Sequence, residues 1–215
     1  GIFFHEGESV RWFPVSEKVA NRFIGLQNEK DWVAFETLNN RYVAVNLSNI
    51  TYCAVTREES DPPKHGYNAT YFEKMLPDEM YRGLMDIAVY DSGSGTSEKY
   101  DSILDDYIKE YELDDNKIDD MVYHTKIYGK KKLLHDGMHA DDEHLANMFH
   151  YIDLDIEENE YFHLTDYERG NYYKFQNTEL AIIDAPRIQV LDAMDENLRK
   201  MKEEEDEFQK NKKDK

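Results

Sequence analysis

Histidine is the residue type in this chain best placed to do chemistry. His135, His139 and His144 fall in the stretch HDGMHADDEH, beside Asp141, Asp142 and Glu143. Imidazole nitrogens and carboxylate oxygens together make the donor set of zinc and other transition-metal sites. His135 and His139 stand four residues apart, a spacing that puts two side chains on one face of a helix. Gly137 between them favours a loop instead, and the longer step to His144 rotates that residue off the shared face. No HExxH is written in the chain, so a zincin is excluded. His135, His139 and His144 are therefore the metal candidates. No catalytic or cofactor-binding residue is assigned, and no cofactor is expected.

Other chemical patterns fail on spacing. Asp114-Asp115-Asn116 with Asp119-Asp120, and Asp153 and Asp155 with Glu157-Glu158, lack the central glycine of an EF-hand loop. Gly93–Lys99 reads GSGTSEK, which has the wrong glycine spacing for a phosphate loop and suits a linker. Cys53 is the single cysteine. It cannot form an intrachain disulfide, and its apolar strand context is expected to bury it as a structural thiol. Lys130-Lys131-Lys132, with Lys126, is the one basic cluster in the folded region, and it is expected to neutralise its own surroundings.

The background charge bears on partners. Across 215 residues the formal net charge is −20, a field that repels phosphate, so nucleic acid is an unfavourable partner. A basic protein is a suitable one. Hydrophobic content of 40% and aromatic content of 13%, with 16 tyrosines, support a folded core and protein contact surfaces. No apolar run approaches the ~18 residues of a membrane span. The expected setting is cytoplasmic or phage-associated.

The elements that must position these residues are read from periodicity. Apolar clusters at Val10–Val15, Phe23–Leu26, Trp32–Phe35, Tyr42–Val45 and Ile50–Val55, parted by Asn-rich turns, predict a β-meander. Asn39-Asn40 fits a tight turn, since Asn tolerates positive φ. Ser16–Ala20 is compatible with a short helix or a loop. Beyond the break EESDPPK at Glu58–Lys64 the period changes to that of helices: Met80 to Ala88, Tyr100 to Tyr111, Ile118 to Thr125, and Leu145 to Phe149 behind Asp141-Asp142. Alternation returns at Tyr151–Leu154, Tyr161–Thr165, Tyr172–Phe175, Leu180–Ile183 and Ile188–Leu191. From Asp192 a helix with Met194, Leu198 and Met201 on one face is expected to fray into the charged end.

Two of these stretches look alike. Arg41–Val55 (RYVAVNLSNITYCAV) and Glu179–Ala193 (ELAIIDAPRIQVLDA) each run apolar, break at an Asx residue (Asn46, Asp184) and resume at an isoleucine (Ile50, Ile188). The match suits an internal repeat, or equally two β segments building one sheet or barrel around an insertion. The predicted organisation is a β-meander or small barrel over 1–57, an acidic and mainly helical insertion over 58–150, a second β segment over 151–192, and a helix with a charged tail over 193–215. The fold class is α+β, with small antiparallel β-barrel or meander segments at both ends.

Short strands in a meander ending in the hairpin VNLSNITYCAV resemble the small β-barrels of the Sm-like group, in particular divergent members of phage or marine metagenomic origin. The likeness covers Val10–Val55 and Tyr151–Leu191. It implies ring assembly through edge strands. The family's RNA-binding Asp-x-Asn loop and Arg-Gly signature are missing here, and no functional residue is carried over. The resulting expectation is a non-enzymatic structural or assembly protein that self-associates into an oligomer. One alternative is an acidic nucleic-acid mimic that binds a basic partner through Asp105, Asp106, Glu110, Glu112 and Asp114. A third reading is a His/Asp metal-dependent enzyme.

Overall fold

A computed structural model of the chain describes residues 1–6, 9–25, 32–55, 78–79, 81–83, 105–106, 109, 124–138, 142–153, 161–165 and 171–213. Its centre is a five-stranded antiparallel sheet built from β3 (Trp32–Glu36), β4 (Arg41–Asn46), β6 (His124–Gly129), β7 (Leu133–Met138) and β10 (Leu180–Pro186). The strand order is β3-β4-β10-β6-β7. A second sheet, of β1 (Ile2–Glu6), β2 (Ser9–Phe13) and β5 (Tyr52–Val55), has β1 in the middle. The hairpin β8 (Tyr161–Thr165) and β9 (Tyr172–Gln176) stands apart from both. Three helices complete the frame: α1 (Glu17–Ile24), α2 (Asp142–Asp153) and α3 (Arg187–Lys213).

Period-two alternation divides the central sheet into two buried faces. Trp32, Ala34, Ala44, Ile127, Ile183 and Ala185 face α2, α3 and the β8–β9 hairpin, meeting Phe149, Val190 and Phe162 in one apolar cluster. Val33, Phe35, Val43, Val45, Tyr128 and Ile182 face the small sheet and α1 in a second cluster. Leu180 joins the first cluster, while Ala181 and Ile182 both join the second. A register shift between Leu180 and Ile182 accounts for that break in alternation, because a β-bulge sends two successive side chains to one side. The second cluster is aromatic at heart. Phe4 lies 5.5 Å from Phe23, 6.0 Å from Phe13 and 6.1 Å from Phe35, ring centroid to ring centroid.

Local chemistry fixes the connections. Ser16 caps α1, its hydroxyl accepting from the Val19 N–H at 3.3 Å, so the undecided Ser16–Ala20 segment is helical. The β3–β4 turn lies at Asn39-Asn40 as predicted, with Asn40 at φ 58°. After β4 the Asn46 side chain accepts from Ser48 N–H at 3.1 Å, and the Asn49 amide donates to the carbonyls of Thr178 and Leu180 at 3.0 and 2.5 Å. The turns that follow β4 and precede β10 are thereby tied together.

The two look-alike segments lie side by side. β4 pairs directly with β10, Val45 opposite Ile182 and Arg41 opposite Pro186. The first halves of the two segments build one sheet, whereas Tyr52–Val55 joins the small sheet and residues 187–193 are helical; none of the described sheets closes into a barrel. The α+β class with antiparallel sheets holds; the small-barrel expectation does not. Four element assignments also change. Phe23 and Ile24, read within a strand cluster of the meander, lie in α1. Residues 124–138, placed within a mainly helical insertion, form the β6–β7 hairpin, where Thr125 and Ile127 alternate inward and are fully buried. Residues 151–153 end α2 instead of opening a strand. Ile188–Leu191 belongs to α3, not to a strand: Pro186 ends β10, and the next N–H, that of Arg187, donates to the Asn40 carbonyl at 2.9 Å. The stretches Met80, Ile87 and Ala88, most of Tyr100–Tyr111, and Ile118–Val122 lie outside the described residues.

Ile183 is fully buried at the centre of the sheet. Ile183→Ala should lower stability by about 2–5 kcal/mol in urea unfolding. Leu133→Ala, on an edge strand at 41% exposure, should cost well under half of that. Equal losses at the two sites would contradict this placement of the core.

Candidate functional site

The polar end of the central sheet is where buried charge collects. Arg41 opens β4, and its side chain is only 5% exposed. Its Nε donates to Asp184 Oδ1 at 2.6 Å, and its Nη2 donates to the main-chain carbonyls of Asp184 and His124, at 2.8 and 2.6 Å. One guanidinium thus joins β4, β10 and β6. Its fixed fork of donors suits this task in a way that lysine's single ammonium does not. The backbone of Arg41 is held as well: its N–H donates to the Thr37 hydroxyl at 2.9 Å, and its carbonyl accepts from Thr37 N–H at 2.9 Å.

Charges around the start of α3 continue the cluster. Arg187 reaches Glu36 at 3.3 Å and also pairs with Asp78. Arg82 makes a forked pair with Asp192, at 2.9 and 2.8 Å, which raises the Arg82 pKa through that hydrogen bond and the nearby charge. These contacts bind the segment around Asp78–Arg82 to the first turns of α3. On the sheet, His124 Nδ1 sits 3.1 Å from Asp136 Oδ1 across the β6–β7 pair. The arrangement does structural work: Asp184 pairs with Arg41, Asp192 with Arg82, and Glu36 and Asp78 share Arg187.

Of the three histidine candidates, His135 is the one whose side chain the structure describes. His135 lies on β7, not on a helix or loop, and is 4% exposed. Its ring stands 5.0 Å from that of Tyr173 and 6.3 Å from that of Phe175. It is a wall residue of the aromatic cluster under β9. His139 lies outside the described residues, and His144 belongs to the first turn of α2. Among the described residues no group of three or more His, Cys, Asp or Glu side chains could hold a metal ion. Of the acids proposed to imitate nucleic acid, Asp105 and Asp106 are exposed helical residues, while Glu110, Glu112 and Asp114 fall outside the described residues.

Two further sequence expectations meet the structure here. Cys53 is exposed on β5 rather than buried: it lies opposite Phe4, on the same face of the small sheet as that core residue, but β5 is the edge strand and leaves the thiol uncovered. Partial desolvation still pushes its thiol pKa up, against a smaller lowering by its backbone hydrogen bond. Lys130-Lys131-Lys132 forms the exposed tip of the β6–β7 hairpin, with Lys130 3.4 Å from Glu179. Among the described residues no helix is long and apolar enough to cross a membrane.

What the sequence analysis missed is α1 against β3. Ser16, Lys18, Val19 and Arg22 on one side, and Ala34, Glu36 and Leu38 on the other, line a groove of about 340 Å³. The signal available in the sequence was the capping Ser16 ahead of Val19 and Phe23, four apart on one helical face.

Removing one member of a buried ion pair strands the other charge, whereas replacing both with apolar groups need not cost stability. Asp184→Leu alone should therefore cost about 3–5 kcal/mol, and adding Arg41→Met should restore most of it; additive losses in a double-mutant cycle would contradict the pairing. Cys53 should react with a maleimide in the folded protein, with labelling that rises at higher pH than for a free thiol, and full protection would contradict its exposure. No protein-family model, curated protein or solved structure matches this chain.

Proposed function

We propose that this chain is a non-enzymatic structural or assembly protein that self-associates, with α3 providing the contact between copies. The observation that carries the reading is where burial stops along that helix. Ile188, Val190 and Ala193 are in the core, yet every residue from Leu198 to Glu203 is exposed. The helix nevertheless runs on to Lys213, which at about 1.5 Å per residue carries it well beyond the body.

The apolar face of α3 starts on the body, where Met194 packs against the core, and continues into the projecting part. Leu191, Met194, Leu198 and Met201 follow one another at steps of three and four residues, the spacing of a coiled-coil seam. Leu198 is 46% exposed and Met201 56%. The sequence places Glu205 and Phe208 at the next two seam positions. An exposed apolar stripe on a helix without tertiary support is weakly stable alone and gains by pairing.

The flanking charges select the direction of pairing. Asp195 and Lys202 occupy equivalent positions on one flank of the seam, and both are exposed. When two copies cross antiparallel about Leu198 and Met201, Asp195 of each faces Lys202 of the other, so opposite charges meet twice under two-fold symmetry. A parallel arrangement brings no opposite pair together on this flank. The other flank is occupied within the chain, where the Asn197 amide donates to Asn147 of α2 at 3.2 Å.

Sedimentation equilibrium gives the test. The unaltered chain should behave as a dimer at micromolar concentration, and Leu198→Glu with Met201→Glu should give a monomer that unfolds at a similar temperature. Lys202→Asp should weaken the dimer and Asp195→Lys in addition should restore it. A strict monomer across the concentration range would defeat the functional reading. A dimer that survives the Glu substitutions would defeat the seam.

A further inference from the structure

We propose that the groove between α1 and the outer edge of β3 binds an extended, acidic peptide segment of a partner protein as an added strand. The inference stands apart from the α3 seam and uses a different part of the molecule.

The backbone supplies the first argument. Thr37 N–H donates to the Arg41 carbonyl, which fixes the hydrogen-bonding parity of the β3–β4 pair. Phe35 opposite Val43 and Val33 opposite Val45 then exchange bonds with β4. Ala34 and Glu36 turn their N–H and C=O groups the other way, off the edge of the sheet, since β3 is its terminal strand. No described residue pairs with those groups. Ala34 is only 7% exposed, so its outward backbone groups are poorly served by water, a costly state that a further strand would relieve.

The edge already accepts one such partner. Two residues past Glu36, the Leu38 N–H donates to the Pro14 carbonyl at 2.8 Å. The chain then leaves the edge at Ser16 and turns into α1, which opens the groove above Glu36 and Ala34. A narrow void beside Val33 and Phe23 extends it along the strand. A helix standing across a groove from an unpaired strand edge is the arrangement in which strand addition gains both main-chain bonds and side-chain contacts.

Charge selects the ligand. Lys18 and Arg22, one turn apart and exposed on α1, line the groove. The opposing acid, Glu36, is engaged by Arg187 at 3.3 Å. The free charge over the groove is therefore positive, in a chain whose overall charge is −20. Alternate side chains of an added strand point to opposite faces, so the fitting peptide alternates acids toward Lys18 and Arg22 with small apolar residues.

The test uses the 215-residue chain and a fluorescein-labelled synthetic peptide of alternating glutamate and valine, followed by fluorescence anisotropy at physiological salt. Binding should be at least ~10-fold tighter than for the lysine–valine counterpart. Methylating the peptide nitrogens along the pairing edge should weaken it by at least ~10-fold, since this removes main-chain donors while leaving the protein unaltered. Lys18→Glu with Arg22→Glu, both at exposed positions, should have a similar effect. No binding up to ~1 mM, equal affinity for the two peptides, or indifference to N-methylation would each overturn the proposal.

Discussion

The guanidinium of Arg41 holds together strands that the chain itself keeps far apart. Its bonds reach Asp184 on β10 and the carbonyl of His124 on β6, residues 143 and 83 positions away in sequence. Neither strand is joined to β4 by a hairpin, so the register among the three must be set by something other than a turn. A planar, permanently charged group with directional donors is suited to that role. A slip of one residue would leave a buried cation facing an apolar neighbour. Such buried pairs add little net stability relative to apolar packing but strongly penalise arrangements that leave one partner alone. The same end of the sheet is anchored by Thr37 and by the contact between Asn40 and the first N–H of α3.

Once that sheet is in place, the remaining surfaces follow from what covers it. One face takes α2, α3 and the β8–β9 hairpin; the other takes the small sheet and α1. Helix α3 is longer than the face it packs on, so its second half leaves the body with Leu198 and Met201 uncovered. Helix α1 is short and lies across from β3 without pairing its backbone, so a strand edge remains open beneath it. The two surfaces proposed to meet other molecules are thus by-products of a mismatch between element length and sheet size. Both face solvent beside exposed charged residues, which keeps non-specific association in check.

The sequence disclosed the parts of this fold that depend on local pattern. Alternation located β3, β4, β8, β9 and β10, and the Asn39-Asn40 turn was visible from residue type; the likeness of Arg41–Val55 to Glu179–Ala193 held only in the first halves, which became β4 and β10, while the second halves became β5 of the small sheet and the start of α3. It misled where tertiary context overrules a local signal. Ile188 continues the apolar pattern of β10, but Pro186 has no N–H of its own to extend the ladder, and the chain turns helical at Arg187. Thr125 and Ile127 alternate correctly, yet Ile118, Met121 and Val122 just before them have helical spacing and masked the change of period. His135 drew attention for its type and neighbours; its partner in space is Tyr173, 38 positions on, which no spacing rule reveals. The groove beside β3 depends on which groups of an edge strand face outward, a property of register rather than of composition.

The claim that bears most weight is that β4 and β10 are adjacent, antiparallel and in the register fixed by Arg41. Nuclear Overhauser spectroscopy on isotope-labelled protein reads this directly. Val43 with Asp184, and Val45 with Ile182, are the non-hydrogen-bonded pairs of that ladder, where opposing Cα hydrogens approach most closely. Strong cross-peaks between the Cα hydrogens of those two pairs are predicted. Their absence, or the same peaks displaced by a residue along either strand, would contradict the sheet and every surface argued from it.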